Sequence, residues 1–459
     1  MISYNDLIEQ NPWWQSKDYT PIEAKWHKRF IFNKIHKDLN KDLAQMLTGL
    51  RRTGKSTILK QLIHSLLLKK IEAERILYFA FDKYSLDKTP EAFIFLIKNY
   101  FERRLKKKVF EIDFKVYLFI DEIQYIDFWQ DIVKRYYDQN KNIKFIITGS
   151  QTLKLKGKSK ESLAGRIIEY YLSTLDYEEF LMISRQNCTF KSVWNYNFFN
   201  DDYEELFDFY YQYKEKLERN MPIYLCYGQF PEISMEKDIE FGYKYIKESV
   251  LGKILEHDIP NFYGVEKVQI FKNLAYHLIT NSSSIFEIQN IGRELGISKK
   301  TAEKYLSYLT EGFLLDILYK CLKSSIKKGR STKKSYASST NFIASINNIQ
   351  LEYYDKLPHV FGKIVETYVH WRLTRKFKNV CLWRSGNKEV DFVIPAEDIQ
   401  QKLFIEVKFS EKIRNNSIKF MLSMAKKKNL SKTIFITKNL MDKQEVSGIK
   451  IFFIPYFLI

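Results

Sequence analysis

Long apolar runs are missing from this sequence. No stretch approaches the ~18 consecutive apolar residues of a membrane-crossing helix, and the closing Ile451–Ile459 run is too short to span a bilayer. A basic-then-apolar leader is absent from the first residues, so export is not expected and a cytoplasmic location is. Cysteine is scarce: Cys188, Cys226, Cys321 and Cys381 are scattered without a C-x-x-C pair. That spacing argues against a disulfide framework or a zinc site and for reduced thiols in the core. Glycine is thin as well, 16 in 459 residues, so any pair of glycines at a meaningful spacing carries weight. Acidic residues vanish between Ile317 and Gln350, where Lys320, Lys323, Lys327, Lys328, Arg330, Lys333 and Lys334 fall.

What is present is positive charge on an ordinary globular background. Lys and Arg number 74 against 55 Asp and Glu, a net +19, and 45% of residues are hydrophobic. The length suits about three domains. Arg103 to Lys108 and Lys426-Lys427-Lys428 add further basic patches, for which a phosphate backbone is the natural counterpart. A single run of this kind also suits a plain solvated face.

Two of the scarce glycines frame Gly49-Leu50-Arg51-Arg52-Thr53-Gly54-Lys55-Ser56, followed by Thr57. The preceding Leu43–Thr48 reads as a short buried strand, and Ser56–Leu68 as an amphipathic helix. Glycines at this spacing let successive backbone N–H groups turn inward on a polyanion at a helix N-terminus. Lys55 is placed to meet the β- and γ-phosphates of a nucleoside triphosphate, and the Ser56 hydroxyl to hold Mg²⁺.

Strands are expected at 76–82, 116–121, 144–150 and 167–172, separated by helical stretches, which reads as a parallel sheet with crossover helices. The strand Val116–Asp121 delivers Asp121 and Glu122 at its C-terminal end, the edge at which open α/β sheets bind ligands. Asp121 is expected to serve Mg²⁺ and Glu122 to polarise an attacking water. The same pair would also suit the start of the next helix. Thr148 or Ser150, closing the fourth strand, is a candidate sensor of the γ-phosphate or else a helix cap. Arg166, before the fifth strand, is a candidate phosphate contact in cis or across a subunit boundary, or an ordinary salt-bridge residue.

Residues 187–220 interrupt this pattern with Trp194, Tyr196, Phe198, Phe199, Tyr203, Phe207, Tyr210 and Tyr211. They read as an inserted helical hairpin whose aromatics pack a core, since interleaved acids disfavour contact with nucleic acid. Further on, 284–315 reads as a helix, the turn Leu295-Gly296-Ile297-Ser298, a second helix over 299–311, and an apolar end. Gly296 permits the left-handed turn and Ser298 caps the second helix. Lys299, Lys300, Thr301 and Lys304 then line an outward face that could read DNA, while Ala302, Tyr305, Leu306 and Leu309 pack inward. A lid or protein dock is the competing reading.

In the last quarter, Glu366 sits on a helix over 361–377, Asp391 in a strand over 389–394, and Glu406-Val407-Lys408 in a strand over 403–408. Alternation puts Glu406 and Lys408 on one face. Helix acid, strand Asp, then E-x-K is the pattern of a PD-(D/E)xK nuclease. Asp391, Glu406 and Glu366 are candidate Mg²⁺ ligands, and Lys408 would meet the reacting phosphate. An ion-pair row on an edge strand has the same E-x-K signature.

Taken together, GLRRTGKST, LFIDEIQ, ITGSQ, LAGR with LSTLDYEEF, YGQFPE near Gly228 and the early Asn11-Pro12-Trp13-Trp14 resemble archaeal and bacterial AAA-type ATPases with a C-terminal DUF4143 domain. The likeness covers nearly the whole chain. It implies an α/β fold with a P-loop NTPase parallel-sheet core over 1–240 and a central helical or winged-helix domain with a basic linker over 241–334. A C-terminal α/β domain of PD-(D/E)xK nuclease-like fold follows over 335–459. It implies ATP and Mg²⁺ as cofactors, in keeping with the lack of an N-K-x-D guanine signature. DNA and a second copy of the chain are the expected partners, and no membrane. An ATPase joined to a nuclease-like domain follows, with a nucleotide-gated switch that binds without cutting as the rival. One departure stands out: the family's Y-x-x-D-x-G-L segment here reads Tyr336-Ala337-Ser338-Ser339-Thr340-Asn341-Phe342, without its acid.

Overall fold

The computed structural model describes residues 3–16, 18–82, 88–149, 163–184, 203–321, 332–399 and 402–459. The chain divides into two compact units, Met1–Thr174 and Leu175–Ile459.

The first unit is built on five parallel strands: β1 (Ala44–Gly49), β2 (Ile76–Ala80), β3 (Val116–Asp121), β4 (Ile143–Gly149) and β5 (Ile167–Leu172). They lie in the order β2-β3-β4-β1-β5. Near-continuous apolar strands suit a parallel sheet covered on both faces, and β1 to β4 are buried along their whole length. Helix α1 (Lys55–Leu68) leaves β1 through the glycine loop and buries Ile58, Leu59, Leu62, Ile63 and Leu66 against the sheet. Because β4 separates β1 from β3, their C-terminal ends flank the crevice where such sheets bind ligands.

Strand β2 is an edge, and the N-terminal segment closes it. Gln10 Oε1 accepts from the Ala80 amide at 2.9 Å, and Asn11 bonds both the amide and the carbonyl of Tyr78 at 2.7 and 2.8 Å. The Trp13 and Trp14 indoles donate to the Ile76 carbonyl at 3.1 and 2.9 Å. Side chains thus satisfy alternate residues of the strand, which guards an open edge against pairing with another chain. Asn11→Ala leaves two buried backbone groups unpaired and is expected to lower unfolding free energy by about 2–4 kcal/mol. A denaturant melt showing a loss under ~0.5 kcal/mol would contradict this role.

In the second unit, the 24-residue helix α2 (Tyr203–Cys226) buries Tyr203, Tyr210 and Tyr224. Of the aromatics expected to pack a core here, Tyr203 and Tyr210 are buried and Phe207 is half-buried, whereas Tyr211 is exposed, which corrects its placement in the core. The other arm of the expected hairpin, with Trp194, Tyr196, Phe198 and Phe199, lies outside the described residues. Helices α3 (Val268–Thr280), α4 (Ile288–Glu294) and α5 (Lys299–Glu311) precede the antiparallel pair β6 (Leu315–Tyr319) and β7 (Lys333–Ala337). Gly296, at φ +66°, makes the left-handed turn between α4 and α5. The Ser298 hydroxyl caps α5 by accepting from the Thr301 amide at 3.1 Å.

The C-terminal part of this unit packs α6 (Thr340–Ile346), α7 (Pro358–Lys376) and α8 (Asn415–Lys427) with a mixed six-stranded sheet. Its strands are β8 (Cys381–Ser385), β9 (Lys388–Ile394), β10 (Leu403–Lys408), β11 (Lys432–Thr437), β12 (Asp442–Val446) and β13 (Ile449–Pro455). The order is β12-β13-β11-β10-β9-β8, parallel from β10 through β13 and antiparallel at both ends. The segment lacking the family acid is tied down by neutral groups instead. Ser339 donates to Gln229 Oε1 at 2.6 Å, and Asn341 accepts from the Gln229 amide at 2.8 Å.

The expectation of four reduced thiols is corrected for two of them. Cys321 and Cys381, 60 residues apart, form a disulfide joining the end of the β6 segment to β8. Cys226 is free and buried, and burial pushes its thiol up to about 12. Cys188 lies outside the described residues.

Candidate functional site

The loop between β1 and α1 is shaped by two left-handed residues, Arg52 at φ +64° and Gly54 at φ +96°. Its first glycine serves a different need. A Cβ on Gly49 would fall 2.1 Å from the Leu172 carbonyl oxygen, so only glycine lets β5 lie this close to β1. Thr53 donates its hydroxyl to the Leu50 carbonyl at 2.8 Å, which pins the loop across its middle. The Lys55 ammonium is buried and donates to the Gly49 and Leu50 carbonyls at 3.2 and 3.1 Å. It is therefore held inside the curl of the loop. Ser56, the next residue, is exposed on the first turn of α1.

Across the crevice, the Asp121 carboxylate is buried and clamped. Tyr78 donates its hydroxyl to Oδ2 at 2.9 Å, and Thr148 donates to Oδ1. The Thr148 oxygen in turn accepts from the Glu122 amide at 3.2 Å. One hydroxyl thus joins both acids, so Thr148 sits behind the pair, bonded to Asp121, and orients it. Glu122 holds a left-handed backbone at φ +54°, which a non-glycine residue adopts only when its surroundings enforce it. Its carboxylate accepts from the Gln124 side chain. Burial pushes the Glu122 carboxyl above the ordinary glutamate range; the Lys55 charge opposes this, and Asp121 reinforces it.

These donors suit a triphosphate with its magnesium ion. The loop curls around a buried ammonium at the N-terminus of α1, where a phosphate suits the helix end, and Ser56 and Asp121 offer the hard oxygens that Mg²⁺ takes.

Arg166 is not brought to this site, which corrects its assignment as a phosphate contact in cis. It immediately precedes β5 at the N-terminal edge of the parallel sheet, where its carbonyl accepts from the Ala44 amide at 2.9 Å. The glycine loop leaves the opposite edge. The Arg166 guanidinium pairs instead with Asp138 at 2.9 Å. Ser150 and Gln151 lie outside the described residues. The arginine that does touch the loop is Arg29, which sequence reasoning missed. It is buried and donates to the Thr53 carbonyl at 2.8 Å and to the Ser173 and Thr174 carbonyls at 3.1 and 3.2 Å. No local pattern announces it, because its partners are carbonyls far along the chain.

In the second unit, the structure does bring Glu366, Asp391, Glu406 and Lys408 together. Glu366 comes from α7, Asp391 from β9, and Glu406 and Lys408 from one face of β10. The Asp391 amide donates to Glu406 Oε2 at 3.4 Å, and the Val407 amide donates to Asp391 Oδ2 at 2.9 Å. Lys408 pairs with Glu406 at 2.6 Å. A further residue, absent from the expected set, enters the middle. Lys334 of β7 is buried and its ammonium lies 2.9 Å from Glu366, 2.5 Å from Glu389 and 3.5 Å from Asp391. Tyr336, two residues on and so on the same face of β7, donates to Glu366 at 2.8 Å.

The cluster crowds four carboxylates into a dry space, and their titration shows it. Burial, with Asp391 adding to it, pushes Glu366 up to about 7 and Glu406 up to about 8, against the pull of Lys334 and Lys408 respectively. Lys334 is held above the ordinary lysine range: burial works against its charge, but Glu366, Asp391 and Glu389 outweigh it. A divalent ion does not fit among Glu366, Glu389 and Asp391 as they stand, because an ammonium already lies within 3.5 Å of all three.

Comparison with known proteins matches three family models along the chain. Residues 41–181 match the model of an AAA domain. Residues 218–350 match a domain of unknown function, DUF8612, and residues 361–457 match a second, DUF4143. An uncharacterized protein of Haemophilus influenzae is 26% identical over 427 residues, covering 91% of this chain and 94% of the relative. An uncharacterized protein of Methanocaldococcus jannaschii is 27% identical over 348 residues, covering 73% of this chain and 70% of the relative. Among solved structures, the Thermotoga maritima RuvB Holliday junction branch migration motor is 15% identical with a TM-score of 0.31, covering 65% of this chain and 92% of that one. AMPPCP-bound DnaA from Aquifex aeolicus is 16% identical with a TM-score of 0.29, covering 64% of this chain and 92% of that one. The chain carries an AAA-type P-loop domain followed by a C-terminal DUF4143 domain. Among the described residues, no helix is long and apolar enough to cross a membrane.

Proposed function

We propose that this chain binds and hydrolyses ATP at Gly49–Thr57 and works on DNA, its ATPase coupled to a nuclease-like C-terminal domain. One observation carries the hydrolytic reading: the Thr148 hydroxyl holds Asp121 and Glu122 as a unit, with the buried Lys55 charge acting on Glu122. Bound ATP would supply the phosphoanhydride bond, and its Mg²⁺ the charge that steadies the departing group. Glu122, with its raised affinity for a proton, takes one from the attacking water. Lys55 turns from the Gly49 and Leu50 carbonyls to phosphate oxygens. Asp121, clamped by Tyr78 and Thr148, stays ready for the metal.

DNA association rests on the second unit. Helices α3 to α5 followed by the β6–β7 pair have the element order of a winged helix. Lys299, Lys300 and Lys304 are exposed on the outward face of α5, beside the half-buried Thr301. A cleft of about 710 Å³ is lined by Lys408, Lys412 and Arg414, and also by Lys438 with its partners Asp355 and Glu411, so its surplus of positive charge for a polyanion is modest. A second reading of the last domain, that it binds without cutting, is favoured by the Lys334 ammonium at the focus of its acids.

Replacing Lys299, Lys300 and Lys304 together by alanine is expected to weaken duplex binding and to reduce the slope of log affinity against log salt by about 3. Fluorescence anisotropy across a salt series reads both. An unchanged slope removes α5 from the DNA-binding surface, and wild-type protein that ignores DNA at low salt ends the DNA reading.

A further inference from the structure

An ammonium has three N–H bonds, and three carboxylates lie around that of Lys334, which donates to Glu366 and Glu389 and acts on Asp391 through charge. They come from α7 (Glu366) and β9 (Glu389 and Asp391), at 2.9, 2.5 and 3.5 Å. Other oxygens of the cluster are also engaged. Asp391 Oδ2 accepts from the Val407 amide, Glu406 from Lys408 and the Asp391 amide, and Glu389 Oε2 from Arg384 at 3.3 Å. Such convergence of hard oxygens is what a divalent cation would recruit, at contacts of ~2.0–2.6 Å. The lysine is not a loose surface chain that wandered in. Its strand is paired with β6 from Lys333 to Ala337. The Ser283 amide fixes it at the Ser335 carbonyl at 2.8 Å, and the Ser335 hydroxyl donates to the Leu278 carbonyl at 3.3 Å. Tyr336 braces Glu366 from the same face and stacks on His370 with ring centroids 3.9 Å apart.

We infer that Lys334 is the resident cation of the C-terminal acid cluster: a tethered ammonium takes the place of a divalent metal, and the acids serve as the receptor that docks the β6–β7 hairpin. This is independent of nucleotide binding at Lys55. A metal ion could enter only if the hairpin withdrew, because a divalent charge beside a buried ammonium is strongly repelled. The inference therefore separates two fates of the same residues. With Lys334 in place they hold a neighbouring module; without it they regain the donor set of a metal site.

The test is Mn²⁺ binding to the full-length, nucleotide-free protein, read as loss of the free-ion signal in electron paramagnetic resonance. Wild type and Asp391→Asn are expected to give the same titration, since the cluster takes up no ion in either. Lys334→Ala is expected to gain one site binding about tenfold or more tighter than any in wild type, abolished by adding Asp391→Asn. An Asp391-dependent Mn²⁺ site in wild type overturns the inference, as does a folded Lys334→Ala protein that gains nothing. Should Lys334→Ala fail to fold, the comparison of wild type with Asp391→Asn still decides. Because the P-loop is unaltered throughout, loss of ATP binding would count against the proposed function and leave this result standing.

Discussion

Glu122→Gln is expected to lower the rate of ATP hydrolysis by about 10²–10⁴-fold while leaving nucleotide affinity within a few-fold of wild type. Its left-handed backbone is fixed by the hydrogen bond that the Glu122 amide donates to Thr148, and its carboxylate by the Gln124 side chain. A glutamine fills the same space and keeps a polar contact with Gln124, so it removes the base and little else. Measuring kcat beside ATP affinity separates this from a binding defect. A rate within ~5-fold of wild type would move the base elsewhere. The pH profile adds a second readout. Burial and Asp121 raise the Glu122 carboxyl, so in wild type the acid limb of kcat is expected above the ordinary glutamate range. The Gln variant loses that limb. Glu122→Gln also discharges a group whose ionised form burial disfavours, so its thermal stability at neutral pH is expected to match or exceed that of wild type.

The same site shows why sequence alone revealed some residues and hid others. The glycine loop, β1, β3 and the Asp121–Glu122 pair were legible because their chemistry is local: an apolar run sets the strand, and the next residues emerge at its end. The roles of the two glycines were not separable, since the need for Gly49 lies in the Leu172 carbonyl more than a hundred positions away. Arg29 was invisible for the same reason. Asn11 to Trp14 was noticed only as a likeness; its work of closing the β2 edge depends on side chains meeting a backbone 60 or so residues on. Lys334 was seen but misread. Counted within a basic run, it belonged with solvated charge and polyanion contact, whereas the run straddles a strand. Period-two alternation sends Lys334 and Tyr336 to one buried face and could have flagged them, had the acids of α7 and β9 been placed opposite. The disulfide had no local mark at all, because its cysteines are brought together only where Lys320 and Cys321 lie against β8, 60 residues on.

Lys55→Ala is expected to lower ATP affinity by about 10²-fold and hydrolysis by at least ~10²-fold, because a charge-assisted contact to phosphate and a stabiliser of developing charge are lost together. Calorimetry with a non-hydrolysable analogue reads the first, and steady-state turnover the second. The variant has a further consequence in the nucleotide-free protein. Lys55 is the main influence holding the Glu122 carboxyl down, against burial, Asp121 and Asp82. Removing it raises that carboxyl further. A carboxyl raised by folding favours the folded state below its unfolded value, and that benefit is lost as pH climbs through the folded value. The variant is therefore expected to be least stable, relative to wild type, at pH above the raised Glu122 value. The gap should shrink as pH falls through that value toward the ordinary glutamate range. Melting both proteins between acid and neutral pH tests this sign. A stability gap that stays constant, or widens toward acid, would mean that Lys55 does not act on Glu122. The pairing of ammonium and base across the crevice would then lose its support.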